Sequence, residues 1–338
     1  MKKISDTLGA FLLCAVIGIL ICFSKEARAG AVNGIGICEN IIIPSLLPVL
    51  IICNLIINSR CKNAFDILFS GWFEALFNLP RRTACAVVLG LIGGYPAGTL
   101  LTHSLFEKGI INGDTARRIM RFNLCGGAAF IITAVGTACY GSIKTGLLLF
   151  TSNVISALIC ALIFRGKSIS FESKEIIPCA PNPLSAAAEK TVKALALMSA
   201  YIVFFSAVTG IVKLPRFLIP LFEITSGVCT PQRLLPLPYC AFFLSFGGLC
   251  VHLQLLGYLK DMGFKYIDFL IGRTMCATLS YAICRIFLML FPDSVSVYNN
   301  ISSPVHQFTQ GSLSLSAVMI IGCAVAVFDL ENRKIKLH

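Results

Sequence analysis

Long apolar blocks separated by short, mostly basic stretches run the length of the chain. The first block covers residues 8–23, behind Lys2 and Lys3 and ahead of Lys25, Glu26 and Arg28. With Ala27 and Ala29 as an Ala-x-Ala site it fits a signal peptide, but charges in the cleavage region favour a retained first helix; both readings place the segment around Gly30 outside. Residues 35–57 suffice to cross roughly 30 Å of hydrocarbon at about 1.5 Å per residue, and Glu39, Pro44 and Pro48 predict a bend there. Residues 66–79 are too few to cross. Their amphipathic pattern around Trp72 predicts a helix lying in the interface.

Residues 83–106 are apolar yet broken by Gly93, Gly94, Pro96 and Gly98, and both flanks are basic: Arg81 and Arg82 before, Lys108, Arg117 and Arg118 after. Flanks on one side of the membrane predict a re-entrant hairpin, whose non-helical backbone needs protein or a wet cavity to satisfy it. Residues 122–140 and 146–164 read as ordinary spans. The basic, proline-containing linker 165–193 divides the chain, followed by 194–212, an interrupted stretch 217–230, the glycine-broken 235–259, then 266–291 and 313–328. The loop 292–312 has no Lys or Arg and is placed outside. The resulting organisation is an N-terminal membrane helix or signal anchor (1–30), a first repeat (31–165), a basic linker (166–190), a second repeat (191–330) and a basic tail (331–338).

Composition fixes the solvent. Of 338 residues 57% are hydrophobic and 13% charged, against roughly 25% charged in soluble domains. With a mean hydropathy of +0.84, lipid must solvate part of the apolar surface. The 28 basic and 16 acidic residues leave a net charge of +12. Because the basic residues gather between apolar blocks, without interleaved stacking aromatics, they mark cytoplasmic loops and not a nucleic-acid surface. The 16 cysteines show no Cys-x-x-Cys spacing and the four histidines are scattered, so a metal site has little support.

Sliding the sequence by 154 positions superposes Gly93 and Gly94 on Gly247 and Gly248, Leu101 on Leu255, Leu105 on Leu259, Glu107 on Asp261, Gly109 on Gly263 and Asp114 on Asp268. The shared order of glycine pair, apolar stretch, acidic turn, glycine and next helix predicts two internal repeats. The expected fold class is therefore an all-α polytopic membrane protein with paired broken or re-entrant hairpins. Two halves broken at matching positions point to a substrate site near the bilayer midplane. The competing reading is that the glycines allow close helix packing.

The stretch from Gly93 through Tyr95, Pro96 and Gly98, then Arg121-Phe122-Asn123 with Gly136, residues 221–227, and Ser245-Phe246-Gly247-Gly248 with His252 and Gln254, resemble the YlbJ family of sporulation integral membrane proteins. The resemblance covers nearly the whole chain. It implies membership of the wider nucleoside-recognition or Gate-domain group, a core like that of concentrative nucleoside transporters, and movement of dipicolinic acid across the outer forespore membrane. Where the family pattern has a polar residue and proline after the asparagine, this chain has Leu124, Cys125, Gly126 and Gly127.

Candidate substrate-binding residues are Gly93, Gly94, Tyr95 and Pro96 at the first break, and Ser245, Gly247 and Gly248 at the second. Asn123 joins them because an unpaired amide in hydrocarbon is costly and must face ligand, water or another helix. His252 and Gln254 offer hydrogen bonds to a heteroaromatic ring. Arg273 offers a planar fork for a carboxylate, whereas Arg285, nearer its segment's end, snorkels. Glu39 and Glu223 are the ion-coupling candidates, set against a wet interfacial position for Glu39 and a surface loop for Glu223. With no Gly-x-Ser-x-Gly elbow, phosphate loop or His-Glu-x-x-His motif, the expectation is a non-enzyme without cofactor: a permease for a small organic anion. The alternatives are a nucleoside-type transporter and a non-transporting scaffold whose partners are other sporulation membrane proteins or a second copy of the chain.

Overall fold

The structure, a computed structural model, describes residues 2–59, 61–166, 182–212, 214–215, 217–228 and 234–291. Most of the expected basic linker, the loop 292–312, the last span 313–328 and the tail 331–338 lie outside the described residues. Among those described, helix is the sole regular secondary structure. The elements are α1 (Lys2–Cys22), α2 (Ser24–Ile37), a π-helical turn (Cys38–Ile42), α3 (Ile43–Ile57), α4 (Cys61–Phe77), α5 (Ala84–Gly93), α6 (Ala97–Glu107), α7 (Gly113–Phe122), a π-helical segment (Phe130–Cys139) and α8 (Ile143–Ile163). After the linker come α9 (Pro183–Ile211), α10 (Ile219–Phe222), α11 (Ile224–Val228), α12 (Leu237–Phe246), α13 (Leu249–Asp261) and α14 (Tyr266–Leu290).

Five helical stretches are long and apolar enough to cross a membrane: Ser24–Ile57, Ile143–Ile163, Leu184–Ile211, Leu237–Asp261 and Tyr266–Leu290. A sixth is formed if Lys62–Phe77 and Arg81–Gly93, which meet at 113°, count as one bent span. The protein is a polytopic helical membrane protein. On α4, Ile67, Leu68 and Trp72 stand exposed, the outward apolar face expected of an interfacial helix. Its inner side is pinned by the buried Lys62–Asp66 ion pair (2.5 Å), and Asp66 also accepts the Cys85 N–H (2.9 Å) at the start of α5.

Several boundaries differ from those read in the sequence. The first long span begins at Ser24, so Gly30, read as part of a segment outside, sits within a helical stretch of spanning length. The expected bend residues fall at and after a change of helix type: Pro44 is in the first turn of α3, directly after the π-helical turn, Pro48 is inside α3, and the Ser45 hydroxyl donates to the Ile41 carbonyl at 2.5 Å. Residues 122–140 are no ordinary span, because α7 ends at Phe122 and regular structure resumes in the π-helical segment. Inside the expected linker, α9 already starts at Pro183, where the missing N–H costs nothing and the Asn182 side chain accepts the Ser185 N–H (3.2 Å). The two glycine breaks also differ from each other. Whereas α5 and α6 pack against one another, α12 and α13 run on as one stretch of spanning length.

Small residues let α2 and α9 pack closely. On α2, Gly30 and Gly34 face Ser206 and Gly210 of α9, a four-residue spacing on both helices that puts small residues on one face. A Cβ on Gly30 would lie 2.2 Å from the Ser206 carbonyl oxygen, and one on Gly34 2.9 Å from the Ser206 Cβ. Basic residues close other helices. Arg118 donates to the Phe77, Asn78 and Phe164 carbonyls and Arg165 to Ala75, which satisfies the C-terminal ends of α4 and α8. Partial burial and the neighbouring Arg165 push the Arg118 pKa below its ordinary value.

Gly30→Ala is expected to lower the detergent-melting stability by about 1–3 kcal/mol through backbone overpacking. Gly36→Ala, at a helical position with open space around it, should instead raise stability by about 0.5–1 kcal/mol. Equal responses would show that the α2–α9 approach is not the limiting contact.

Candidate functional site

Four interruptions of helix meet in the interior. The first follows α5, where Gly94 adopts φ +72° and the Tyr95–Pro96 peptide bond is cis. The second is the unwound stretch 123–127 between α7 and the helical turn that leads into the π-helical segment, whose Leu124, Cys125, Gly126 and Gly127 are buried. These two are joined by backbone: the Tyr95 N–H donates to the Cys125 carbonyl at 2.9 Å, and a Cβ on Gly94 would lie 2.1 Å from the Gly127 nitrogen. Gly126 N–H then donates to the Leu244 carbonyl of α12 at 3.2 Å.

The third interruption is Gly247–Gly248, and the fourth is Glu223, extended between α10 and α11. They too are in contact, since a Cβ on Gly248 would lie 2.8 Å from the Pro220 carbonyl oxygen. Tyr95 connects the pairs, with its ring 3.6 Å from where a Gly247 Cβ would stand. Such freed backbone groups are tolerated at depth because each break supplies partners or close contact to another.

Arg273 of α14 is 2% exposed at this junction. Its Nη2 donates to the Ser245 carbonyl, next to the third break, while Nη1 is buried without a partner. Among the described residues no carboxylate forms an ion pair with it. Tyr95 lies within electrostatic reach of both Arg273 and Glu223, and the Tyr95 hydroxyl and Thr225 Oγ1 are likewise buried and unpartnered. A cavity lined by Ile42, Leu46, Tyr95, Gly127, Phe130 and Thr225, among others, has room for roughly one water molecule. In this closed arrangement three hydrogen-bonding groups, one of them cationic, lack partners around the junction of the breaks.

The other predicted residues are placed differently. Asn123 is fully buried, wedged against Gly90 of α5 and Gly98 of α6; its Nδ2 donates to the Ala86 carbonyl (3.2 Å) while Oδ1 has no partner. Its first duty is to hold α5 and α6 to the end of α7. His252 has both ring nitrogens engaged. Nε2 contacts the Phe246 carbonyl at 3.0 Å, which requires the proton there, so Nδ1 accepts from the Tyr266 hydroxyl at 3.0 Å. It ties the end of α12 to the start of α14 and presents no free nitrogen to a ligand.

Gln254 Nε2 donates to Cys250 Sγ (3.3 Å) one turn back. Glu223 is 1% exposed, which excludes the surface-loop alternative. Its carboxylate accepts the Thr225 and Ser226 N–H groups (2.8 and 2.5 Å), capping the turn that follows. Glu39 lies half-buried in the π-helical turn. Gly94 and Gly248 face protein backbone, the packing reading of the glycines, while Pro96 opens α6. Thr225 was not a site candidate in the sequence, and the break at 123–127 was missed because residues 122–140 read as one ordinary span; the Gly126–Gly127 pair was its signal.

Because Gly94 and Gly98 have backbone within 2.1 Å and 2.0 Å of the added Cβ, Gly94→Ala and Gly98→Ala should abolish recovery of folded, monodisperse protein. Gly109→Ala, with φ +63° but open space around it, costs only about 1 kcal/mol and leaves a folded protein. Normal recovery of the first two variants would show that the breaks are not packed as described.

No family model matches the chain, and no solved structure matches it. Among curated proteins the chain is similar to the sporulation integral membrane protein YlbJ of Bacillus subtilis (strain 168), with 21% identity over 329 aligned residues that cover 81% of each chain. The similarity relates this polytopic membrane protein to a sporulation protein.

Proposed function

We propose that the protein transports a small organic anion, held by Arg273 where the four interruptions meet. The observation that carries this reading is the buried guanidinium: it is desolvated, it has no acidic partner among the described residues, and its Nη1 is unpartnered. A charge in that state needs a counter-charge or polar solvation, and a carboxylate fits its planar fork. Tyr95 and Thr225 add hydroxyl donors. The occluded cavity requires the α5–α6 pair to move relative to α12–α13 before a substrate enters, the alternating exposure that broken-helix transporters use.

The two-repeat reading gains support from the helix ends. Gly109 closes α6 with φ +63° and Gly263 closes α13 with φ +66°. The same bonds follow in both, from Ile110 N–H to the Leu105 carbonyl (2.9 Å) and from Phe264 N–H to the Leu259 carbonyl (2.8 Å), 154 positions apart. By resemblance to the sporulation family, dipicolinate is the first substrate to test, at the outer forespore membrane. The tight packing of Gly94 and Gly248 favours the second reading, a scaffold that moves nothing.

Uptake of labelled dipicolinate into proteoliposomes, with a nucleoside as comparison, separates these readings. For a transporter, Arg273→Lys should weaken substrate binding by about 10- to 100-fold, the loss of one or more hydrogen bonds to a charged group, although the charge is kept. Arg273→Ala should abolish uptake in protein that still inserts and melts cooperatively. Saturable uptake unchanged in Arg273→Ala would move the anion site elsewhere, and absence of uptake for every anion tested would favour the scaffold.

A further inference from the structure

Away from the breaks, α14 and α8 share a buried polar seam. Arg273, Cys276, Ser280 and Cys284 recur at helical spacing on one face of α14, and Ser152, Ser156 and Cys160 do so on α8. The helices run antiparallel, since the Cys160 thiol pairs with Cys276 and Ser152 with Cys284. All of these side chains are buried, as is Asn153 beside them. The seam starts at Arg273 and extends about 16 Å along α14 at about 1.5 Å per residue.

Small polar residues in such a stripe also permit close helix packing. Dry packing accounts for Ser152 and Ser156, whose hydroxyls donate back to the Leu148 and Asn153 carbonyls, both at 2.7 Å. Three other groups are left over. Asn153 spends its Nδ2 on the Leu149 carbonyl (2.9 Å) and leaves Oδ1 bare, and Ser280 Oγ and Arg273 Nη1 are equally buried without partners. Orphaned polar atoms are rare in native interiors because each carries its full desolvation penalty. Here all three lie on two facing helices, and one is a cation.

We propose that this seam binds a file of ordered water running from Arg273 past Ser280 and Asn153 toward Cys284. Water supplies the missing acceptor to Nη1, the missing donor to Asn153 Oδ1 and both to the Ser280 hydroxyl, the two to four polar partners that a stably buried water requires. The file solvates the guanidinium from the side away from Ser245, so Arg273 stays charged with no carboxylate beside it. The file shares Nη1 with the proposed anion site, so an anion that reaches Arg273 displaces the first water, whereas the waters at Ser280 and Asn153 are expected whether or not an anion is transported.

Removing a wall group distinguishes the alternatives by sign. In a hydrated seam Ser280→Ala and Asn153→Leu each strip a hydrogen bond from a water and should lower Tm by about 2–4 °C in a protein of this size. In a dry seam the same changes delete an orphaned group and raise Tm. Radiolytic hydroxyl-radical footprinting of the wild-type protein in nanodiscs supplies a second readout that needs no variant to fold. Cys160, Cys276 and Cys284 should oxidise several-fold faster than Cys53, which is buried away from the seam and donates to the Leu89 carbonyl. A rise in Tm for either variant, or oxidation of the three thiols no faster than Cys53, overturns the water file.

Discussion

A backbone amide or carbonyl released from a helix has nowhere to go in hydrocarbon, and this constraint shapes the centre of the protein. Four interruptions are concentrated in one place, where each supplies what another lacks: Tyr95 N–H finds Cys125, Gly126 N–H finds Leu244, and the Glu223 carboxylate takes two amides of the turn after it. Glycine is required where backbone meets backbone, as at Gly94 against Gly127 and Gly248 against Pro220. Separate, isolated breaks would each carry an unpaid desolvation cost; gathered together they stabilise one another.

Around this core the spans act as a frame. The α2–α9 contact is drawn close by small residues at four-residue spacing, a dispersion-driven approach that lipid does not oppose. At the other side α12 and α8 both pack on α14, whose Arg273 reaches back to the Ser245 carbonyl. A single side chain thus links the frame to the breaks, so a shift of α14 against α12 necessarily disturbs the environment of the buried charge.

Charge economy separates the polar groups into two kinds. Glu223 and His252 are satisfied by the local backbone and by Tyr266, and they give the breaks a defined shape. Arg273, Tyr95 and Thr225 retain unmet hydrogen-bonding capacity, and only groups of that kind gain by meeting a ligand or water. A structural reading alone explains the first set and leaves the second without a reason.

Hydropathy by itself determined the membrane class, most of the spans and the position of both glycine breaks, because twenty-residue apolar blocks and glycine pairs are local properties of the chain. The amphipathic α4 was legible for the same reason, and so was Arg273, a cation too deep in an apolar stretch to be a loop residue. Tertiary structure decided what local pattern leaves open. Residues 123–127 lie in a stretch apolar enough for a helix, yet they unwind where Cys125 and Gly126 meet Tyr95 and Leu244, partners distant in sequence. The roles of His252 and Asn123 turned on the same fact: a polar side chain advertises a need for partners, and only the packed fold reveals whether Tyr266, Phe246 or Ala86 already meets it.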